Sequence, residues 1–155
     1  MSDASFAAVA NGRRASSLMA LVCDTGPLLA ALDSSDPDHR RCAALLADPR
    51  EDLVVPSLVL AEVDYWCHER LGGQAWLVFL EDLLHGAYRL EHPSHDELRR
   101  CHDLQRRYAD LRLGVVDASV LALVERLGEP KVATLDHRHF ATVRPAHVSA
   151  LLLLP

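Results

Sequence analysis

The sequence predicts an α/β domain built on a central, mostly parallel sheet with helices packed against it. Three observations carry that expectation. Short, continuous apolar runs recur along the chain, as strands buried on both faces of a parallel sheet do. Amphipathic helical segments separate those runs, which is the order that joins parallel strands by helical crossovers. The chain has 155 residues and 17.1 kDa, the size of one ordinary domain with a real core.

Each element follows from local chemistry. Leu18–Cys23 is an apolar run closed by Asp24, and Gly26–Leu32 reads as a short helix. A turn over residues 33–38 contains Pro37, and a second helix runs to about Ala47. Leu53-Val54-Val55 is a strand stopped by Pro56. Ser57 is placed as the N-cap of a helix reaching Leu71, which Gly72-Gly73 ends. An amphipathic helix covers Gln74–His85, and Ala87–Leu90 is a weak third strand. Helices follow over about Ser94–Tyr108 and Asp117–Leu127, the latter ended by Gly128. Lys131–Leu135 is a clear strand, and a turn of helix and a strand near Val148–Leu153 finish the chain. Residues 1–17 read as a disordered extension and 18–155 as a single domain.

Composition narrows the function. Half the residues are hydrophobic and a quarter are charged, which is globular and not disordered. Net charge is −6, which speaks against a uniformly basic surface coating nucleic acid. Cys23, Cys42, Cys67 and Cys101 form no CxxC pair, so a zinc ribbon is disfavoured and reduced cytoplasmic thiols are expected. No apolar run has the length of a membrane span. Arg13-Arg14 ahead of Leu18–Leu32 resembles a twin-arginine signal, but Asp24 and Pro27 interrupt its apolar stretch and no small-residue cleavage site follows. The expected location is cytoplasmic.

Four carboxylates stand out. In an open parallel sheet, ligands bind at the carboxyl ends of the strands. Asp24 follows the first strand directly, Asp136 follows the Lys131–Leu135 strand, and Asp117 begins a helix after Gly114-Val115-Val116. Glu62 has Leu58, Val59, Tyr65 and Trp66 as its helical neighbours, an apolar face on which an ionised carboxylate needs a partner. Each aspartate has an ordinary explanation as a helix N-cap, and Glu62 has one as the partner of an arginine or as a protonated, hydrogen-bonded acid. Together, four converging anions would repel strongly, and a hard divalent cation held by oxygen atoms resolves that conflict. Without Cys or His ligands, such a set suits Mg²⁺ or Mn²⁺ and not zinc.

Four segments then resemble, in order, the signatures of PIN-domain ribonucleases. They are Cys23-Asp24-Thr25-Gly26-Pro27-Leu28-Leu29, Pro56-Ser57-Leu58-Val59-Leu60-Ala61-Glu62, Val116-Asp117-Ala118-Ser119 and Thr134-Leu135-Asp136-His137-Arg138-His139-Phe140. The likeness spans about residues 18–154, with no departure at the acidic positions. It is similar in particular to VapC-type toxins of toxin–antitoxin pairs. The resemblance implies a three-layer PIN-like fold and a metal-dependent endoribonuclease. Asp24, Glu62, Asp117 and Asp136 would then hold one or two Mg²⁺ or Mn²⁺ ions, and a metal-activated water would attack a phosphodiester in line. It also implies a cognate VapB-type antitoxin whose arginine reaches the carboxylates, a homodimer, and a structured RNA target such as transfer or ribosomal RNA. Thr25, Asp110 and Arg138 are auxiliary candidates, set against a helix-start hydroxyl, a solvated loop and a surface turn respectively.

The remaining features have plainer readings. Arg99, Arg106 and Arg107 could share a helical face toward RNA, or be solvated and paired to Asp96 and Asp103. The nine histidines read as surface groups, with His137 and His139 either at the rim of the site or packing a turn. Trp66 and Trp76 read as core or dimer anchors. The rival functional class is a non-catalytic or receiver-like acidic-pocket regulatory domain. A receiver needs paired acids at the first strand's end and a lysine after a late strand, whereas Lys131 begins its strand.

Overall fold

A computed structural model describes residues 19–155, so Leu18 and the extension expected over 1–17 lie outside the described residues. Five strands, β1 (Met19–Cys23), β2 (Glu51–Pro56), β3 (Arg89–Glu91), β4 (Lys131–Ala133) and β5 (Leu152–Leu154), form one sheet in the order β3-β2-β1-β4-β5. Every pairing is parallel. The helices are α1 (Thr25–Leu32), α2 (His39–Leu46), α3 (Ser57–Trp66), α4 (Gly73–Leu84), α5 (His95–Arg107), α6 (Val115–Leu127) and α7 (His137–Thr142). This is the α/β class the alternating pattern predicts.

The apolar runs explain the centre of the sheet. Leu21, Val22, Cys23, Val54 and Val55 in β1 and β2 are wholly buried, and β4 adds Val132 and Ala133. α6 buries seven consecutive residues, Ala118–Val124, so it is covered on all sides and not only along one stripe. All four cysteines are buried and free, as reduced thiols should be. No helix among the described residues is long and apolar enough to cross a membrane.

Strand order places the functional edge. The chain adds β2 and β3 on one side of β1, then returns to lay β4 on the other. The order therefore reverses between β1 and β4, and at such a switch point the loops after the two strands part and leave a crevice. Asp24 and Asp136 lie in those two loops. Gly26 allows the loops to approach, because a Cβ there would meet Leu135 Cβ at 3.2 Å. Lys131 sits at the opposite edge, paired with Glu51 at 2.6 Å, so it does not take the place a receiver's lysine needs.

Several boundaries differ from the sequence-based expectation. The helix expected to reach Leu71 is α-helical only to Trp66, and Cys67–Leu71 closes as a π-turn with Gly72 N–H donating to Cys67 O at 2.7 Å. Gly72 takes φ 90°, which sets the sharp exit into α4. Ser57 is the first residue of α3 and not its cap; Pro56 ends β2 and occupies the cap position at φ −62°. α6 starts at Val115, which puts Asp117 inside its first turn instead of at its cap. The last strand is three residues long and starts at Leu152; residues 146–150, including the expected start at Val148, form bends.

Ser94 shows a cap that is legible in sequence. Its Oγ accepts from Glu97 N–H at 3.1 Å, and Glu97 Oε2 accepts in return from Ser94 N–H at 2.9 Å. Ser94→Ala should therefore lower stability by about 1 kcal/mol in chemical denaturation while leaving the carboxylate edge unchanged.

Candidate active site

The four carboxylates reach the edge of the sheet from four elements. Asp24 is the residue between β1 and α1, Glu62 lies in the second turn of α3, Asp117 in the first turn of α6, and Asp136 caps α7. Three of them stand at helix N-termini, where unpaired backbone N–H groups favour negative charge.

Asp24 is 6% exposed and its backbone N–H donates to Ala133 O at 2.9 Å, which fixes it against β4. Its side chain does not cap α1. Oδ2 instead accepts from Thr134 Oγ1 at 2.8 Å, and the same Oγ1 accepts from Asp136 N–H at 3.0 Å. Thr134 is completely buried and so ties the ends of β1 and β4 through one hydroxyl. The sequence motif contains Thr134 but nothing in it signals this role.

Glu62 departs from its expected surroundings. The buried stripe of α3 is Val59 and Val63, continued by Cys67, while Tyr65 is 55% exposed. Glu62 is partly buried beside that stripe and not within it. Its hydrogen-bond partner is a hydroxyl and not an arginine: Thr25 Oγ1 donates to Glu62 Oε2 at 2.8 Å. Thr25 is thus more than a helix-start hydroxyl, since it joins α1 to α3 across the site.

Asp117 and Asp136 meet at His139. Its Nδ1 lies 3.1 Å from Asp117 Oδ2 and 2.7 Å from Asp136 Oδ2. Neither oxygen stands where a hydrogen bond from Nδ1 requires it, so this buried nitrogen lacks a hydrogen-bond partner. Asp136 does act as an N-cap, its Oδ1 accepting from His139 N–H at 3.1 Å. The sequence alone reads His139 as a rim or packing residue and the ligand set as oxygen only. Its spacing of three from Asp136 is the signal that could have placed it, because residues so spaced share a helix face.

The auxiliary candidates divide. Asp110 is exposed on a single turn of 3₁₀ helix (Ala109–Leu111), as a solvated loop residue would be, and Arg138 is exposed on α7. Two arginines of α5 are engaged elsewhere: Arg99 pairs with Asp96 at 2.5 Å and Arg100 with Glu125 at 2.7 Å. Trp66 meets Tyr65 edge to face and lies under Arg70, 4.0 Å from its guanidinium, and Trp76 packs toward Phe79.

The electrostatics follow from this packing. Burial pushes the Asp24 carboxyl up to about 6; hydrogen bonds from Thr25 N–H and Thr134 oppose the rise, and repulsion from Asp117 and Glu62 adds to it. Burial likewise raises Asp117, with His139 opposing and Asp136 and Glu62 adding. Among the described residues no arginine or lysine forms an ion pair with any of the four; His139 is the one cation-capable partner. Ligand atoms of Asp117, Asp136 and His139 lie within 4.8 Å of one another, close enough to share one ion.

Comparison with known proteins agrees with this architecture. The family model of the PIN domain matches residues 21–144. Ribonuclease VapC26 of Mycobacterium tuberculosis is 33% identical over 135 residues, covering 87% of this chain and all of that protein. The crystal structure of Mycobacterium tuberculosis VapC20, described as a Sarcin-Ricin loop cleaving toxin, superposes with a TM-score of 0.73 at 21% identity, covering 83% of this chain and 98% of that one. The toxin–antitoxin complex from Klebsiella pneumoniae matches with a TM-score of 0.57 at 19% identity, over 85% and 99% of the two chains. The chain belongs to the PIN-domain family, among the VapC-type ribonuclease toxins of toxin–antitoxin pairs.

The raised Asp24 carboxyl has a consequence for stability. A carboxyl whose pKa is higher folded than unfolded holds more protons in the folded state between the two values, so rising pH destabilises the fold across that window. In metal-free protein, Asp24→Asn should gain about 2–3 kcal/mol relative to the native sequence between pH 4 and pH 7, measured by denaturation in EDTA. An unchanged difference across that range would contradict the assigned environment.

Proposed function

We propose that the chain is a divalent-metal-dependent endoribonuclease in which Asp24, Glu62, Asp117 and Asp136 hold one or two Mg²⁺ or Mn²⁺ ions. The observation that supports this most is the absence, among the described residues, of any arginine or lysine ion pair to the four carboxylates, two of which, Asp24 and Asp117, have their proton affinity raised by burial and by their acidic neighbours. Such a set is poorly satisfied alone and well satisfied by a cation. The donors fit: hard oxygens suit Mg²⁺ and Mn²⁺, and an ion that keeps several of its own waters needs only part of its shell from protein.

When bound, the ion would supply Lewis acidity toward a phosphate and an acidified water at neutral pH. The chain's own residues set the geometry. Thr134 orients Asp24 and the Asp136 backbone together, and Thr25 orients Glu62. At the strand ends of the switch point Glu62, Asp117 and Asp136 are partly exposed, where a phosphodiester can approach, while Asp24 is buried. A structured RNA, transfer or ribosomal, fits the relatives' ribonuclease character. The acidic edge would also receive the cationic side chain of a VapB-type antitoxin, and a homodimer is the assembly proposed.

An RNA cleavage assay tests this. Activity should require added Mg²⁺ or Mn²⁺, vanish in EDTA, and fall by about 100-fold or more in Asp24→Asn and in Asp117→Asn. Undiminished cleavage in EDTA would refute the metal mechanism. Expression should arrest growth, and Glu62→Ala or co-expression of the antitoxin should relieve it.

A further inference from the structure

His139 contributes a feature the acidic cluster alone does not explain. Its Nε2 lies 3.1 Å from Leu111 O. A carbonyl oxygen can only accept, so Nε2 carries the proton, and in the neutral ring Nδ1 presents a bare lone pair. That lone pair is buried beside Asp136 Oδ2 and Asp117 Oδ2, at 2.7 and 3.1 Å, with no hydrogen-bond partner. Three electron-rich atoms so close repel one another unless a cation joins them.

The second observation is the bond to Leu111 itself. A metal-ligating histidine characteristically donates its other ring N–H to a carboxylate, a backbone carbonyl or water, which fixes the ring and raises its basicity. Leu111 ends the 3₁₀ turn after α5 and lies outside the carboxylate cluster, so this bond aims the ring from a separate element.

On the metal-dependent reading above, we propose that His139 Nδ1 is a metal ligand, making the Asp117–Asp136–His139 corner a mixed carboxylate–imidazole site that favours a transition-metal cation of the Mn²⁺ class over Mg²⁺. Imidazole is a softer donor than carboxylate, and its presence shifts selectivity away from Mg²⁺, which prefers oxygen throughout.

The test uses full-length, tag-free protein loaded with Mn²⁺. Pulsed electron paramagnetic resonance of bound Mn²⁺ should show a ¹⁴N coupling that His139→Asn removes and His137→Asn, at the neighbouring exposed position, keeps. By calorimetry His139→Asn should weaken Mn²⁺ at least about tenfold and Mg²⁺ much less. Should His139→Asn fail to fold, His137→Asn still separates the two histidines of α7, because a coupling it removes overturns the assignment and one it keeps supports His139. Mn²⁺ bound without ¹⁴N coupling, or a coupling that survives His139→Asn, overturns the ligand assignment and leaves the carboxylate site standing. No Mn²⁺ binding by the unaltered protein overturns both.

Discussion

The hydroxyl of Thr134 sits where the demands of the fold and of the site meet. It is buried at the end of β4, donates to Asp24 and accepts from the Asp136 backbone. Asp24 cannot move outward to solvent, because its own N–H is bonded to Ala133 in the adjacent strand. A carboxylate is thus held in a place that disfavours its charge, and two more are held near enough to raise that penalty. The sheet can bear it because β1, β2 and β4 are sealed by apolar packing that does not depend on the edge. Removing apolar area from water contributes about 25 cal/mol per Å². A core of this size can therefore carry a few unfavourable polar placements.

Helix geometry lowers the remaining penalty. Asp24, Asp117 and Asp136 each stand at the start of a helix, and only Asp136 uses its side chain to cap one. Asp24 and Asp117 lie in the favourable field of a helix N-terminus, and hydrogen bonds from Thr25 N–H and Gly114 N–H favour their charged forms. An Asp ahead of a helix looks the same in sequence whether or not its side chain caps that helix; the difference is where the oxygen atoms go. In Asp24 they go to Thr134 across the sheet, and in Asp117 one lies beside His139.

This is also why part of the site was legible in the sequence and part was not. Asp24 and Asp136 were readable because a carboxylate directly after a buried strand has one place to be, the strand's carboxyl end. Glu62 stood out for an imperfect reason: its helical neighbours are apolar, but Tyr65 is largely exposed, so the face is the flank of the core. Thr25 and Thr134 act through contacts across 37 and 110 residues of chain, and His139 reaches back to Asp117 from another helix; only the fold sets such distances. The π-turn after Trp66 and the late start of β5 escaped for a local reason. Neither a shifted hydrogen bond nor a three-residue edge strand leaves a periodic trace.

The arginines complete the electrostatic argument. Arginine supplies nearly all of the chain's sixteen basic residues, enough in number to offset the acidic edge. Their ion pairs lie elsewhere. Arg89 pairs with Asp52 and Glu91, Arg99 with Asp96, Arg100 with Glu125, and Arg126 with Glu91 and Glu97. These pairs brace α5 against α6 and β2 against β3 and leave the strand ends unneutralised. Charge neutralisation at this edge must therefore come from something other than the scaffold's own paired arginines. A cation placed there would oppose the burial and repulsion that raise the proton affinity of Asp24 and Asp117. On the proposed metal-dependent reading, one occupancy would set both the charge of these carboxylates and the approach of a phosphate, a coupling that follows from where the paired arginines lie.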